Sequence, residues 1–212
     1  MIVHHLGVSQ SERIVWLCEE LAIPYDLKIY DRDPKSRLAP ASYKALHPIG
    51  AAPVIEDGGL VLAESGAIAE YIIATYGEGR LTVAAGELGF ADYLYWFHFT
   101  NGTLQPALGR VMMLGRAGIA DDAPVLGFAK DRLALALGLV DARLAETPWL
   151  AGPAFTAADI MIVFTLTTMR YFQPFDLVDY PQILAYLQRV AQRPAYQNAM
   201  AKGDPGMTLL LT

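Results

Sequence analysis

The chain has 212 residues, 54% of them hydrophobic and 18% charged, with a formal charge of −6 and a pI near 5.1. An acidic chain with no basic run argues against nucleic acid as a partner, and no apolar segment approaches the roughly 20 residues that span a bilayer. The single Cys18 excludes an internal disulfide and any Cys-x-x-Cys redox pair. Met1-Ile-Val-His-His5 has neither a basic n-region nor a small-residue cleavage site, so a soluble, cytoplasmic protein with no membrane partner is expected.

Residues 2–5 form a short β-type run and lead into the loop Leu6-Gly7-Val8-Ser9-Gln10. A helix follows, with Ile14, Leu17, Cys18 and Leu21 at the i, i+3, i+4, i+7 spacing of one buried face. Ile23-Pro24 ends it, and Tyr25 to Tyr30 alternates as a second strand. A charged, Pro-containing loop precedes a short helix over 40–46, which stops before His47-Pro48. Val54-Ile55, the turn Asp57-Gly58-Gly59 and Leu60 to Leu62 read as a β-hairpin. Glu64-Ser65 then opens a helix to about residue 76 with Ile68, Tyr71, Ile72 and Tyr76 on one face. The order is β-α-β-α-β-β-α within about 80 residues.

Beyond a linker over 78–87, the patterning is helical only. One long helix is expected over 88–115, kinked at Pro106, and another over 124–145. Thr156 and Asp159 stand at N-cap and N3 of a third, a capping-box variant leading into Ile160 to Leu166, which is apolar all round the helix. Two shorter helices lie near 181–191 and 194–202. The expected divisions are an α/β domain over 1–77 and an all-helical domain over 88–212.

Four features in this order carry a resemblance: Ser9-x-Ser11-x-Arg13, Ala52-Pro53-Val54, Glu64-Ser65, and Gly152-Pro-Ala-Phe-Thr-Ala-Ala-Asp159. Over nearly all its length the chain resembles the cytosolic glutathione transferases, with His4-His5-Leu6 and the run Tyr95 to His98 closest to bacterial and fungal serine-type members. The resemblance implies an α/β thioredoxin-like N-terminal domain that binds glutathione and an all-α helical bundle lining the second-substrate pocket. It also implies a homodimer and a cis peptide before Pro53.

A thiolate is the nucleophile in such chemistry, and a free thiol titrates near pH 8.5. Lowering that by about two units takes roughly 2.7 kcal/mol. One hydrogen bond to a charged group supplies about 1.5–3 kcal/mol and a helix end about 0.3–1 kcal/mol more. Ser9, in the loop before the first helix, is the expected sulfur donor and catalytic residue. Its other role would be a plain helix cap, and Ser11 competes for both. Glu64 suits the ligand's α-ammonium, and the Ser65 hydroxyl and N–H suit its carboxylate at the helix start. Pro53 presents Val54, whose backbone would pair with the cysteinyl portion.

His47 is either an ordinary loop residue or a contact for the glycyl carboxylate. Many members carry a Lys just before the x-Pro, where this chain has Ala51-Ala52, which leaves Lys44, His47 or a partner subunit to supply the charge. Leu6, Val8, Met112, Met113 and Arg116 are candidates for the second-substrate pocket. His4, His5 and His98 have no metal-ligand spacing, and no metal is expected. The expected activity transfers glutathione to small hydrophobic electrophiles or uses it to reduce peroxides. The alternatives are a non-catalytic interaction module and a glutathione-dependent disulfide-bond reductase.

Overall fold

The computed structural model describes all 212 residues, which fall into two compact units. The first comprises residues 1–82 together with 190–209, and the second 83–189 with 210–212.

In the first unit β1 (Ile2–Leu6) leads through a tight loop to α1 (Glu12–Leu21) and back to β2 (Asp26–Tyr30). A one-turn α2 (Ala41–Lys44) follows, then the hairpin β3 (Val54–Asp57) and β4 (Leu60–Ala63), then α3 (Ser65–Tyr76). The sheet order is β2-β1-β3-β4, with β1 parallel to β2 and antiparallel to β3, and β3 antiparallel to β4. Ile2↔Glu56 and Val54↔Ala63 set the register. Gly58 and Gly59 both take positive φ, the demand of a two-residue hairpin turn.

The apolar stripe expected on α1 is fully buried, as are Val3 of β1, Ile55 of β3, and Ile68 and Ile72 of α3. Cys18 belongs to that stripe; burial, with Glu19 adding to it, pushes its thiol up to about 12, so it is inert packing. On α3 only Ile68 and Ile72 of the expected face are buried. Tyr71 and Tyr76 turn their hydroxyls to Asp57, at the hairpin turn.

The helix α9 (Pro194–Gly203) packs on α1 within this first unit, whereas its pattern alone placed it with the helical domain. Trp16 meets Tyr196 edge-on at 4.9 Å between ring centroids, and Arg193 grips Glu20 through two bonds of 2.6 and 2.7 Å.

The second unit holds α4 (Phe90–Phe99), α5 (Gln105–Arg116), α6 (Pro124–Glu146), α7 (Ala157–Leu166) and most of α8 (Pro181–Ala191). The single helix expected over 88–115 is two, joined by a π-helical turn at Thr100–Leu104. Pro106 cannot donate to the ladder, and the wider turn takes up the break just before it. Every residue of α7 is buried, in keeping with a sequence that is apolar all round apart from Asp159 and Thr165. Its capping box is formed, with Asp159 accepting from Thr156 N–H at 2.9 Å. No helix of the chain is long and apolar enough to cross a membrane.

Candidate active site

The loop from β1 to α1 is built around residues that are distant in sequence. Val8 takes the left-handed φ of +52°, unusual for a β-branched residue, and is held there by its N–H donating to Asp204 Oδ1 at 2.7 Å. Arg32 reaches in from the segment after β2 and donates to the carbonyls of Gly7 (2.8 Å) and Val8 (3.1 Å). Ser9 follows, 5% exposed, and Ser11, wholly buried, precedes the first residue of α1.

The hydroxyls of Ser9 and Ser11 stand 2.8 Å apart. The Ser11 N–H donates to Ser9 Oγ, while Ser11 Oγ accepts from Leu6 N–H at 3.1 Å and faces His5 Nδ1 at 2.9 Å. On the far side of the ring, His5 Nε2 is 3.0 Å from Asp204 Oδ2. Ser9 is therefore the outermost member of a buried chain Asp204–His5–Ser11–Ser9, and Ser11 an inner one. Neither serine side chain caps α1. The N–H groups of residues 11–15 are all engaged locally, so the head of α1 offers its dipole and not a row of open donors.

A second network joins three segments. Gln10 donates to Ala52 O at 2.8 Å, just before the cis Ala52–Pro53 bond, and accepts from Arg13 Nη1 at 3.0 Å. The same Arg13 nitrogen donates to Ser65 Oγ at 3.1 Å. Burial lowers the Arg13 guanidinium to about 9, partly offset by Glu12, so it stays charged at neutral pH. A buried cation thus lies directly behind Ser65, the first residue of α3. Glu64 precedes it with φ +73°, a strained conformation that residues other than glycine rarely adopt, and its side chain is exposed. A buried guanidinium and a helix N-terminus at one corner suit a carboxylate.

Val54 and Pro53 are buried at the start of β3. The Tyr43 hydroxyl donates to His4 O at 3.2 Å; burial pushes this phenol up, and a bond from the Val54 backbone partly offsets that. Leu6 packs in the core with Tyr43, Val54 and Ala63, whereas Val8 lines a cavity of about 400 Å³ with Ile29, Arg32, Arg37, Asp204 and Met207. His47 is half-buried and accepts from Ile49 N–H at 3.2 Å, inside its own turn. Lys44 ends α2 and is exposed. Met112, Met113 and Arg116 lie on α5 in the second unit, with Met113 61% exposed. No group of three or more His, Cys, Asp or Glu stands together as a metal site.

The matches to known proteins follow the same order as these features. A model of the glutathione S-transferase N-terminal domain matches residues 9–75, and one of the C-terminal domain matches residues 108–194. Glutathione S-transferase 3 of Schizosaccharomyces pombe is 30% identical over 226 aligned positions, covering 100% of this chain and 91% of the relative. The chain belongs to the glutathione S-transferase family. A crystal structure of a glutathione S-transferase from Actinobacillus pleuropneumoniae superposes with a TM-score of 0.87 at 34% identity, covering 96% of this chain and 92% of that one. A sphingomonad glutathione S-transferase complexed with glutathione shares the fold, with a TM-score of 0.76 at 24% identity over 96% of this chain and 98% of that one. The four-stranded mixed sheet with its helices is thus the thioredoxin-like half of a glutathione S-transferase, joined to a helical domain.

Of the residues that hold these two networks together, sequence reasoning did not find Gln10, Arg32 or Asp204, and it used Arg13 and His5 only as parts of motifs. Arg13 carries a detectable signal: a charge directly beside the apolar stripe of α1. Asp204 carries none, since it lies 196 residues from the Val8 N–H that it holds.

Proposed function

We propose that this transferase binds glutathione in its first unit and lowers the pKa of the thiol with the Ser9 hydroxyl. The carrying observation is that Ser9 is the outer end of a buried hydrogen-bond chain at the head of α1. Its partner Ser11 is committed to that interior, which favours Ser9 over Ser11 as the sulfur's donor. Ser65, with Arg13 behind it, takes the γ-glutamyl carboxylate at the start of α3, and Glu64 takes the ammonium. Val54, set by Pro53, presents backbone to the cysteinyl portion, and His47 or Lys44 meets the glycyl carboxylate. The sulfur then attacks a small hydrophobic electrophile; the leaving group departs with the bonding pair, and the thiol proton passes to solvent. Peroxide reduction uses the same thiolate. Val8, lining the cavity beside Asp204, is the proposed contact for the second substrate, and the active form is a cytoplasmic homodimer.

The test is Ser9→Ala. It raises the pKa of bound glutathione by about 1–2 units, the equivalent of one hydrogen bond to a charged group. Ultraviolet absorbance of the bound thiolate reads this directly. An unchanged pKa removes Ser9 from the chemistry, and failure to bind immobilised glutathione points to an interaction module.

A further inference from the structure

The chain behind Ser9 contains more proton-bearing groups than a simple donor requires. His5 and Asp204 are both buried, with side-chain exposures of 1% and 6%, and they face each other at 3.0 Å. Gly203 gives the ring its room, since a Cβ there would come within 3.1 Å of His5 Nε2. We propose that His5 and Asp204 are positioning residues for Ser9: the proton they share sets whether its hydroxyl donates outward to the ligand's sulfur or inward to Ser11. This rests on the reading of Ser9 as the sulfur's donor.

The argument is one of counting hydrogens. An O···O distance of 2.8 Å between the two serine hydroxyls requires a hydrogen between them, contributed by one side or the other. When the pair holds its proton, His5 Nδ1 carries a hydrogen and donates to Ser11 Oγ. The Ser11 hydrogen is then released to Ser9 Oγ, which is closer than the alternative acceptor, Leu6 O at 3.4 Å. Ser9 keeps its own hydrogen for the sulfur. When the pair loses that proton, the remaining imidazole hydrogen stays on Nε2, against the Asp204 carboxylate, and Nδ1 becomes an acceptor. Ser11 donates to it, and Ser9 must supply the hydrogen between the two hydroxyls. Its donor then points away from the ligand.

Asp204 comes from the end of α9, the Ser11 hydroxyl from the head of α1, and Arg32, after β2, faces the Asp204 carboxylate. Lys28 of β2 and Glu56 of β3 act instead on His4, which alternates to the other face of β1.

Asp204→Asn separates the two states without emptying the site. The amide oxygen can keep the Val8 N–H, and its NH2 donates to His5 Nε2, which holds the hydrogen on Nδ1 at every pH. The experiment is the pH profile of kcat/KM with glutathione and a generic aryl halide, for the native protein, Asp204→Asn and Ser9→Ala. The native profile carries the rise of the ionising thiol and, superimposed on it, a fall of about tenfold or more wherever His5 Nδ1 loses its hydrogen. In Asp204→Asn the rise remains and the fall is absent. In Ser9→Ala the fall is absent and the whole profile is lower.

If Asp204→Asn keeps the native fall while Ser9→Ala removes it, the relay is wrong and the role of Ser9 stands. A native profile without a fall also overturns the relay. If Ser9→Ala matches the native profile, the underlying reading of Ser9 fails. Should Asp204→Asn not fold, nitrogen-15 NMR of His5 in the native protein decides. Nδ1 must lose its hydrogen in step with the fall, and an Nδ1 unchanged across that range overturns the proposal.

Discussion

Asp159 and Asp204 are both buried carboxylates at the ends of helices, one in each unit, and they use their oxygens differently. Asp159, in the first turn of α7, collects donors from Leu150 N, Thr156 N, Thr156 Oγ1 and Tyr186 Oη, all within 3.3 Å. Every interaction there ends on the aspartate itself. Asp204, just past α9, takes Val8 N–H on one oxygen and faces His5 with the other, and from His5 the chain runs on to Ser11 and Ser9. The closed cluster is scaffold. The open one ends on the Ser9 hydroxyl, the donor proposed above for the ligand's sulfur.

The contrast is broken most severely by Asp159→Ala. It strands several buried donors at once and costs about 3 kcal/mol or more of stability in urea unfolding. Next comes pH. Burial pushes the Asp159 carboxyl from 3.8 up to about 6, burial outweighing its donors. Between these values the native state keeps a proton that the unfolded chain has released. Stability therefore falls as pH rises from 3.8 to about 6, by on the order of 3 kcal/mol, and is level above. Asp159→Asn flattens that slope.

At the open cluster the expected pattern reverses. Ser9→Ala lowers kcat/KM about 10–100-fold while the stability read by urea unfolding changes by less than about 1 kcal/mol. Smallest is Thr156→Ala, which removes one capping hydroxyl and costs about 1 kcal/mol in thermal unfolding, with turnover unchanged. A Ser9 variant that loses stability but not turnover would make the two clusters alike.

Much of this architecture was legible because the relevant signals are local. The stripe Ile14–Leu17–Cys18–Leu21, the Asp57-Gly58-Gly59 turn and the Thr156–Asp159 box each act over a few residues, and each appears where expected. The serine at the head of α1 was legible from its motif. The remainder depends on tertiary approach. Arg13 meets Ser65 across 52 positions and His5 meets Asp204 across 199, and no periodicity reports on such pairs. The assignment of α9 to the first unit belongs to the same class, since Trp16–Tyr196 and Glu20–Arg193 are long-range contacts. The π-helical turn before Pro106 is a local feature, but proline signals a break without stating whether the chain bends or widens.

The bond from Asp204 to the Val8 N–H, spanning 196 positions, also orders events during synthesis. β1 and its loop are made before the carboxylate that fixes the loop, which follows 196 residues later. At about 5–20 residues per second this interval is roughly 10–40 s. Through that time the nascent sheet can form its hairpin, yet the serine loop lacks its clasp. The loop is thus clasped in a single step that follows the sheet, when α9 docks on α1.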